Sequence, residues 1–113
     1  RFQGTLECTE KALGINLVET HVKACTEDIL PDQGDLKQSS SRCMRLILFA
    51  QQRAVVPDLI LRKECRDIPH PRTRVEMGDP LCSIILEGLD RNNLLMRGKQ
   101  IAANIYESLS ILD

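Results

Sequence analysis

Residues 81–112 read LCSIILEGLDRNNLLMRGKQIAANIYESLSIL, and this stretch decides the fold. Leu81 to Glu87 is the strongest strand signal in the chain, an apolar run of strand length closed by Gly88. Asp90 then supplies a side-chain acceptor for a helix start, predicting a helix over 91–112. Leu94, Gly98, Ile101, Ile105, Leu109 and Leu112 share one face of that helix, while Arg91, Arg97 and Lys99 fall on a solvated side. Gly98 within the apolar face costs about 1 kcal/mol relative to Ala. A close approach of the helix to a sheet is the expected reason for it.

Working outward, residues 42–50 (RCMRLILFA) read as a second long strand. Cys43, Arg45, Ile47 and Phe49 alternate with Met44, Leu46 and Leu48, so both faces are apolar at its far end. Ala54-Val55-Val56 is a short strand stopped by Pro57, and Leu59-Ile60-Leu61 a further extended piece. Pro69 and Pro71 hold Ile68 and His70 extended. Arg74-Val75-Glu76 reads as a strand and Met77-Gly78-Asp79-Pro80 as a tight turn. Upstream, residues 5–13 have helical composition and end at Gly14, a natural left-handed residue after a helix. Asn16, with Glu19 three residues later, predicts the start of a second helix. Val18, Val22, Cys25 and Ile29 form one face of it, His21 lies at its boundary, and Pro31 ends it. Residues 31–41 (PDQGDLKQSSS) are a loop. The expected fold is α+β: two N-terminal helices, a small, mostly antiparallel sheet of three to five strands, and a long C-terminal helix.

Composition bounds the function classes. With 113 residues, 42% hydrophobic and 27% charged, the chain reads as one folded soluble domain. The 15 Lys and Arg against 16 Asp and Glu leave no basic footprint for nucleic acid. Phe2, Phe49 and Tyr106 are too scattered to make a base-stacking platform. No apolar run is long enough for a membrane-spanning helix. Cys8, Cys25, Cys43, Cys65 and Cys82 include no Cys-x-x-Cys pair, and His21 and His70 are distant in sequence, so zinc-ligand spacing is absent. An odd number of thiols without a signal peptide points to a reducing, cytoplasmic compartment. Cys8, Cys25, Cys43 and Cys82 sit in apolar patterns and are expected to be buried, whereas Cys65, between Glu64 and Arg66, is expected to be exposed. Glu7, Glu10, Glu19, Glu27 and Asp28 read as charges on outer helix faces. Common nucleotide-binding and hydrolase motifs are missing.

The opening residues carry a resemblance. RFQGTLECTEKALGINLVETHVKAC resembles the stretch after the metal-binding glutamate and asparagine of ATP-grasp ligases such as biotin carboxylase and carbamoyl-phosphate synthase. The matching residues are Arg1, Gln3, Thr9-Glu10 and Gly14-Ile15-Asn16-Leu17. The order of the strand at 42–50, the Pro-rich turn, the Gly78-Asp79-Pro80 turn, the 81–88 strand, Asp90-Arg91 and the closing helix is similar as well. The resemblance implies a single unit over 1–113, with 1–30 ending the ATP-grasp fold and 42–113 forming a C-terminal sheet and helix. It implies a ligase that activates a carboxylate as an acyl-phosphate for attack by an amine, with Arg1 as the catalytic residue near the transferred phosphate. A guanidinium suits that role through bidentate, permanently charged contacts.

ATP and Mg2+ are expected for a longer parent chain and not for these residues alone. The family's metal-binding glutamate and asparagine would precede Arg1, and the N-terminal lobes of the same chain would be its partners, alongside small-molecule carboxylate and amine substrates. Thr5 stands where biotin carboxylase has an acidic residue, which favours amide formation over carboxylation. Two other readings compete. RVEMGDPLCSIILEG also resembles the β-rich stretch of biotinyl and lipoyl carrier domains, with Lys63 as the nearest lysine for modification. A protein-interaction domain, with a homodimer as one form, would use an exposed side of the sheet.

Overall fold

The computed structural model describes residues 4–36, 41–58 and 62–113. Two helices, α1 (Leu6–Leu13) and α2 (Leu17–Glu27), precede a one-turn 3-10 segment at Gln33–Asp35. Among the described residues six strands follow: β1 (Arg42–Phe49), β2 (Ala54–Val55), β3 (Cys65–Arg66), β4 (Arg74–Val75), β5 (Pro80–Gly88) and β6 (Ser110–Ile111). The long helix α3 (Arg91–Ser108) lies between β5 and β6 in the chain. The class is the expected α+β.

The strands divide into two antiparallel sheets rather than one, ordered β1-β5-β3 and β4-β2-β6. β5 is the centre of the larger sheet. Its residues Leu81 to Leu86 are all buried, because α3 covers one face and α1 part of the other. The register pairs Met44 with Leu86, Leu46 with Ile84 and Leu48 with Cys82, and these three pairs share the face under α3. Cys43, Arg45 and Ile47 pair with Glu87, Ile85 and Ser83 on the other face. The core is therefore one layer between the sheet and α3, anchored by Ile84, Leu86, Leu94 and Ile105.

Local chemistry explains the helix ends. Gly14 closes α1 at φ 70, a conformation that a Cβ penalises. Asn16 caps α2 by accepting from the Glu19 N–H at 3.0 Å, and the Asp90 carboxylate accepts from the N–H groups of Asn92 and Asn93. Gly98 is buried against the sheet as expected. A Cβ there would overlap Leu46 Cδ1 and press Met44 Cε at 3.2 Å.

Three boundaries differ from the sequence reading in what they do to the fold; the ends of α1, β1, β2 and β4 move by one residue. α2 stops at Glu27, short of Pro31, because Asp28 turns left-handed at φ 53. α3 ends at Ser108; Leu109 is extended, and Ser110–Ile111 leaves the helix to pair with β2. Pro80 opens β5 instead of closing a turn, a strand position where its missing N–H is tolerated. The expected extended piece Leu59–Leu61 lies outside the described residues.

α2 departs furthest from expectation. The Val18–Val22–Cys25–Ile29 stripe does not pack: Val22 is 52% exposed, Ile29 53% and Leu30 75%, and the helix buries no residue. The radius of gyration, 17.4 Å, exceeds the ~13 Å of a compact domain of about this length.

Candidate functional site

Glu10, Gly14, Asn16 and Leu17, four of the residues that carry the resemblance, meet in one joint. Glu10 reaches from α1 to the start of α2, where its Oε2 accepts from the Leu17 N–H at 3.3 Å. That N–H is one of the donors a helix start leaves without an internal partner, so Glu10 and Asn16 together satisfy two of them. Thr9 Oγ1 donates to the Thr5 carbonyl within α1, and Gly14 supplies the left-handed turn between the helices. Glu10 and the Gly14–Leu17 start are thus the two halves of one helix–turn–helix contact. Arg1 and Gln3 lie outside the described residues. An open cavity of about 350 Å3 adjoins it, lined by Ile15, Asn16, Glu19, Lys23, Ile29 and Leu30.

The joint is fastened to the sheet through α1. Glu7 accepts from Arg66 on β3 through both carboxylate oxygens, with the shortest contact 2.7 Å. This bidentate pairing pushes the Arg66 guanidinium above its ordinary pKa. Lys11 lies 3.6 Å from Glu87 on β5. Glu7 and Glu10 are therefore fastening groups, not idle outer charges. Beneath α1, Arg45 donates to Ser83 Oγ at 2.9 Å and to Asp67 at 3.4 Å. Asp67 is held at φ 56 and also accepts from Ser83. The only buried polar side chain among the described residues, Ser83, is satisfied by this network.

The thiols reverse part of the sequence reading. Cys65 is buried, and Cys25 is exposed with its sulfur 3.8 Å from His21 Nε2. His21, expected at a half-packed boundary, is itself exposed. Strand alternation explains Cys65: it pairs with Ile84 and points into the core, while its charged neighbour Arg66 faces α1. Burial pushes the Cys82 thiol up to about 12 and raises that of Cys65, so both stay protonated near neutrality. Cys8 and Cys43 are half-buried, with their sulfurs 3.0 Å apart. Burial and the Cys8 neighbour push Cys43 up to about 12.

A second surface cavity of about 310 Å3 lies beside α1 and α3, bordered by Lys11, Lys63, Arg66, Glu87 and Arg97. Arg97 spends one N–H on the Glu87 carbonyl at 3.2 Å. Lys63 stands in the turn leading into β3, whose partner is β5; it is not at the tip of a hairpin between paired neighbours.

No family model, curated protein or solved structure matches the chain.

The donor set defines what these residues can hold. Among the described residues no group of three His, Cys, Asp or Glu side chains converges on a metal position. No described helix is long and apolar enough to cross a membrane. What the arrangement provides is a fastened helical joint beside an uncovered apolar helix.

Proposed function

We propose that these residues form the C-terminal part of an ATP-dependent carboxylate–amine ligase of the ATP-grasp type. The observation that carries the reading is the joint at Glu10–Leu17. Of the residues that resemble the family, Glu10 accepts from Leu17 across the left-handed turn at Gly14, and Asn16 caps the helix that Leu17 opens. The bare stripe on α2 supports it, since Val18, Val22 and Ile29 are apolar surface that further lobes of a longer chain would cover. In this reading Arg1, just ahead of α1, contacts the transferred phosphoryl group, and the sheet and α3 form the platform that holds the joint still. The acid is activated as an acyl-phosphate and an amine nitrogen displaces phosphate, with stabilisation by positive charge as in other phosphoryl transfers.

The test is the gene product together with whatever precedes Arg1. Incubated with ATP, Mg2+ and panels of carboxylates and amines, it should release ADP only when an acid is present. Hydroxylamine should trap the acyl-phosphate as a hydroxamate. Absence of acid-dependent ADP release, together with no Glu-x-Asn pattern ahead of Arg1, would overturn the reading.

The exposed stripe also suits a non-catalytic interaction module. In that case light scattering would give a dimer or stable complex without any acid-dependent ADP release.

A further inference from the structure

Among the described residues, Cys8 and Cys43 come from different elements, α1 and β1, and their sulfurs lie 3.0 Å apart. A disulfide bond is about 2.05 Å. The two sulfurs need close by only ~1 Å to reach bonding distance. Both residues are half-buried, so a small oxidant can reach them while bulk thiols meet a crowded site. On either side of the pair, α1 is already pinned to the sheet that contains β1, through β3 and β5. Glu7, next to Cys8, grips Arg66, and Lys11, one turn further along α1, meets Glu87, the residue paired with Cys43 across the sheet.

We propose that Cys8 and Cys43 are a covalent modification site at which a peroxide forms a disulfide clamping α1 onto β1. The step balances as two thiols and one peroxide giving one disulfide and two waters. The thiolate of one residue takes one peroxide oxygen, the O–O bond breaks, and the other oxygen leaves as water after protonation. The sulfur of the other residue then attacks the resulting sulfenic sulfur, giving up its proton and expelling the second water. The remaining thiols serve as internal controls. Cys65 and Cys82 are neighbours on the core face but almost fully buried, at 5% and 3% exposure, and so are shielded from the oxidant. Cys25 is exposed but faces His21 in place of a thiol. The site is independent of the ligase reading, because it needs neither Arg1 nor any nucleotide.

The experiment treats the reduced protein with stoichiometric hydrogen peroxide, blocks free thiols with iodoacetamide and maps the peptides without reduction. The expected result is a Cys8–Cys43 linked peptide in excess over every other cystine peptide, with the loss of two hydrogens reversed by dithiothreitol. Cys25→Ser should leave that peptide unchanged. Cys43→Ser should abolish it and carry Cys8 on to a sulfinic acid or a peroxide-dependent adduct. A dominant Cys65–Cys82 link, or intermolecular Cys25 dimers with Cys8 and Cys43 both alkylated, overturns the proposal. If Cys43→Ser does not fold, the wild-type map alone decides, since it reports which sulfurs were joined.

Discussion

Replacing Gly98 by alanine sets two known effects against each other. Alanine is favoured over glycine inside a helix by about 1 kcal/mol. At this position the added Cβ would overlap Leu46 Cδ1, with Met44 Cε at 3.2 Å and Leu86 Cδ1 at 3.5 Å behind it. Overpacking of this kind costs typically ~1–3 kcal/mol. Leu46 is only partly buried and meets the Cβ with the end of its side chain, so the lower half of that range applies. The net expectation for Gly98→Ala is therefore a loss of about 0–1 kcal/mol, a Tm decrease of at most a few degrees. Removing the obstacle should reverse the sign. In a Leu46→Ala background the same substitution has room, and the helix preference of alanine should stabilise by about 1 kcal/mol. Equilibrium urea unfolding of the four proteins gives a double-mutant cycle with an expected coupling of ~1–2 kcal/mol. Additivity within about 0.5 kcal/mol would falsify the close contact between α3 and β1.

Two further outcomes are expected. Cys43 and Cys82 are each held up at about 12 against an ordinary 9.0, and Cys65 and Tyr106 are raised as well, chiefly by burial. The folded state keeps protons that the unfolded chain gives up, so stability is full below about pH 9 and falls as pH rises toward 12, by ~1.4 kcal/mol per pH unit for each such thiol. Urea midpoints measured from about pH 7 to 11 check this, and a level or rising midpoint above pH 9 refutes it. Tyr106 donates its hydroxyl to the Phe49 carbonyl at 2.8 Å, tying the last turns of α3 to the end of β1. Tyr106→Phe should cost about 0.5–1 kcal/mol and speed amide exchange around residues 47–50; unchanged exchange would show that this tie does not hold the strand end.

The parts of the fold written in local chemistry were legible in the chain. Gly14, Asn16 and Asp90 set helix ends through their own side chains or lack of one, and each acts where the sequence places it. Gly98 was readable because a glycine on an apolar helical face needs a steric reason. What could not be read depends on partners distant in sequence. β6 looked like the last turn of a helix because Leu109 and Leu112 keep the helical spacing; pairing with β2 overrides that preference. Cys65 looked exposed because its neighbours are charged, yet a strand turns successive side chains to opposite faces. The stripe on α2 follows helical periodicity faithfully, but periodicity shows where a helix is apolar and not what covers it. In the candidate site, Glu10 was legible as part of a motif, whereas its bond to the Leu17 N–H required the turn at Gly14 to bring them together. The Glu7–Arg66 pair and the Cys8–Cys43 neighbours span even longer separations, and no local signal marks them.

The central place of β2 between β4 and β6 has a consequence for how the chain is made. On the ribosome, β2 emerges long before Ser110 and Ile111, the residues that complete its sheet. β1 waits in the same way for β5, its main partner. Such distant pairings must close large loops before any contact rewards them, which slows folding. During that interval the apolar run Leu46–Phe49 is an unpaired strand edge, open to other nascent chains. Recombinant yield should therefore depend on growth temperature and chaperone supply more steeply than the stability of the finished fold would suggest.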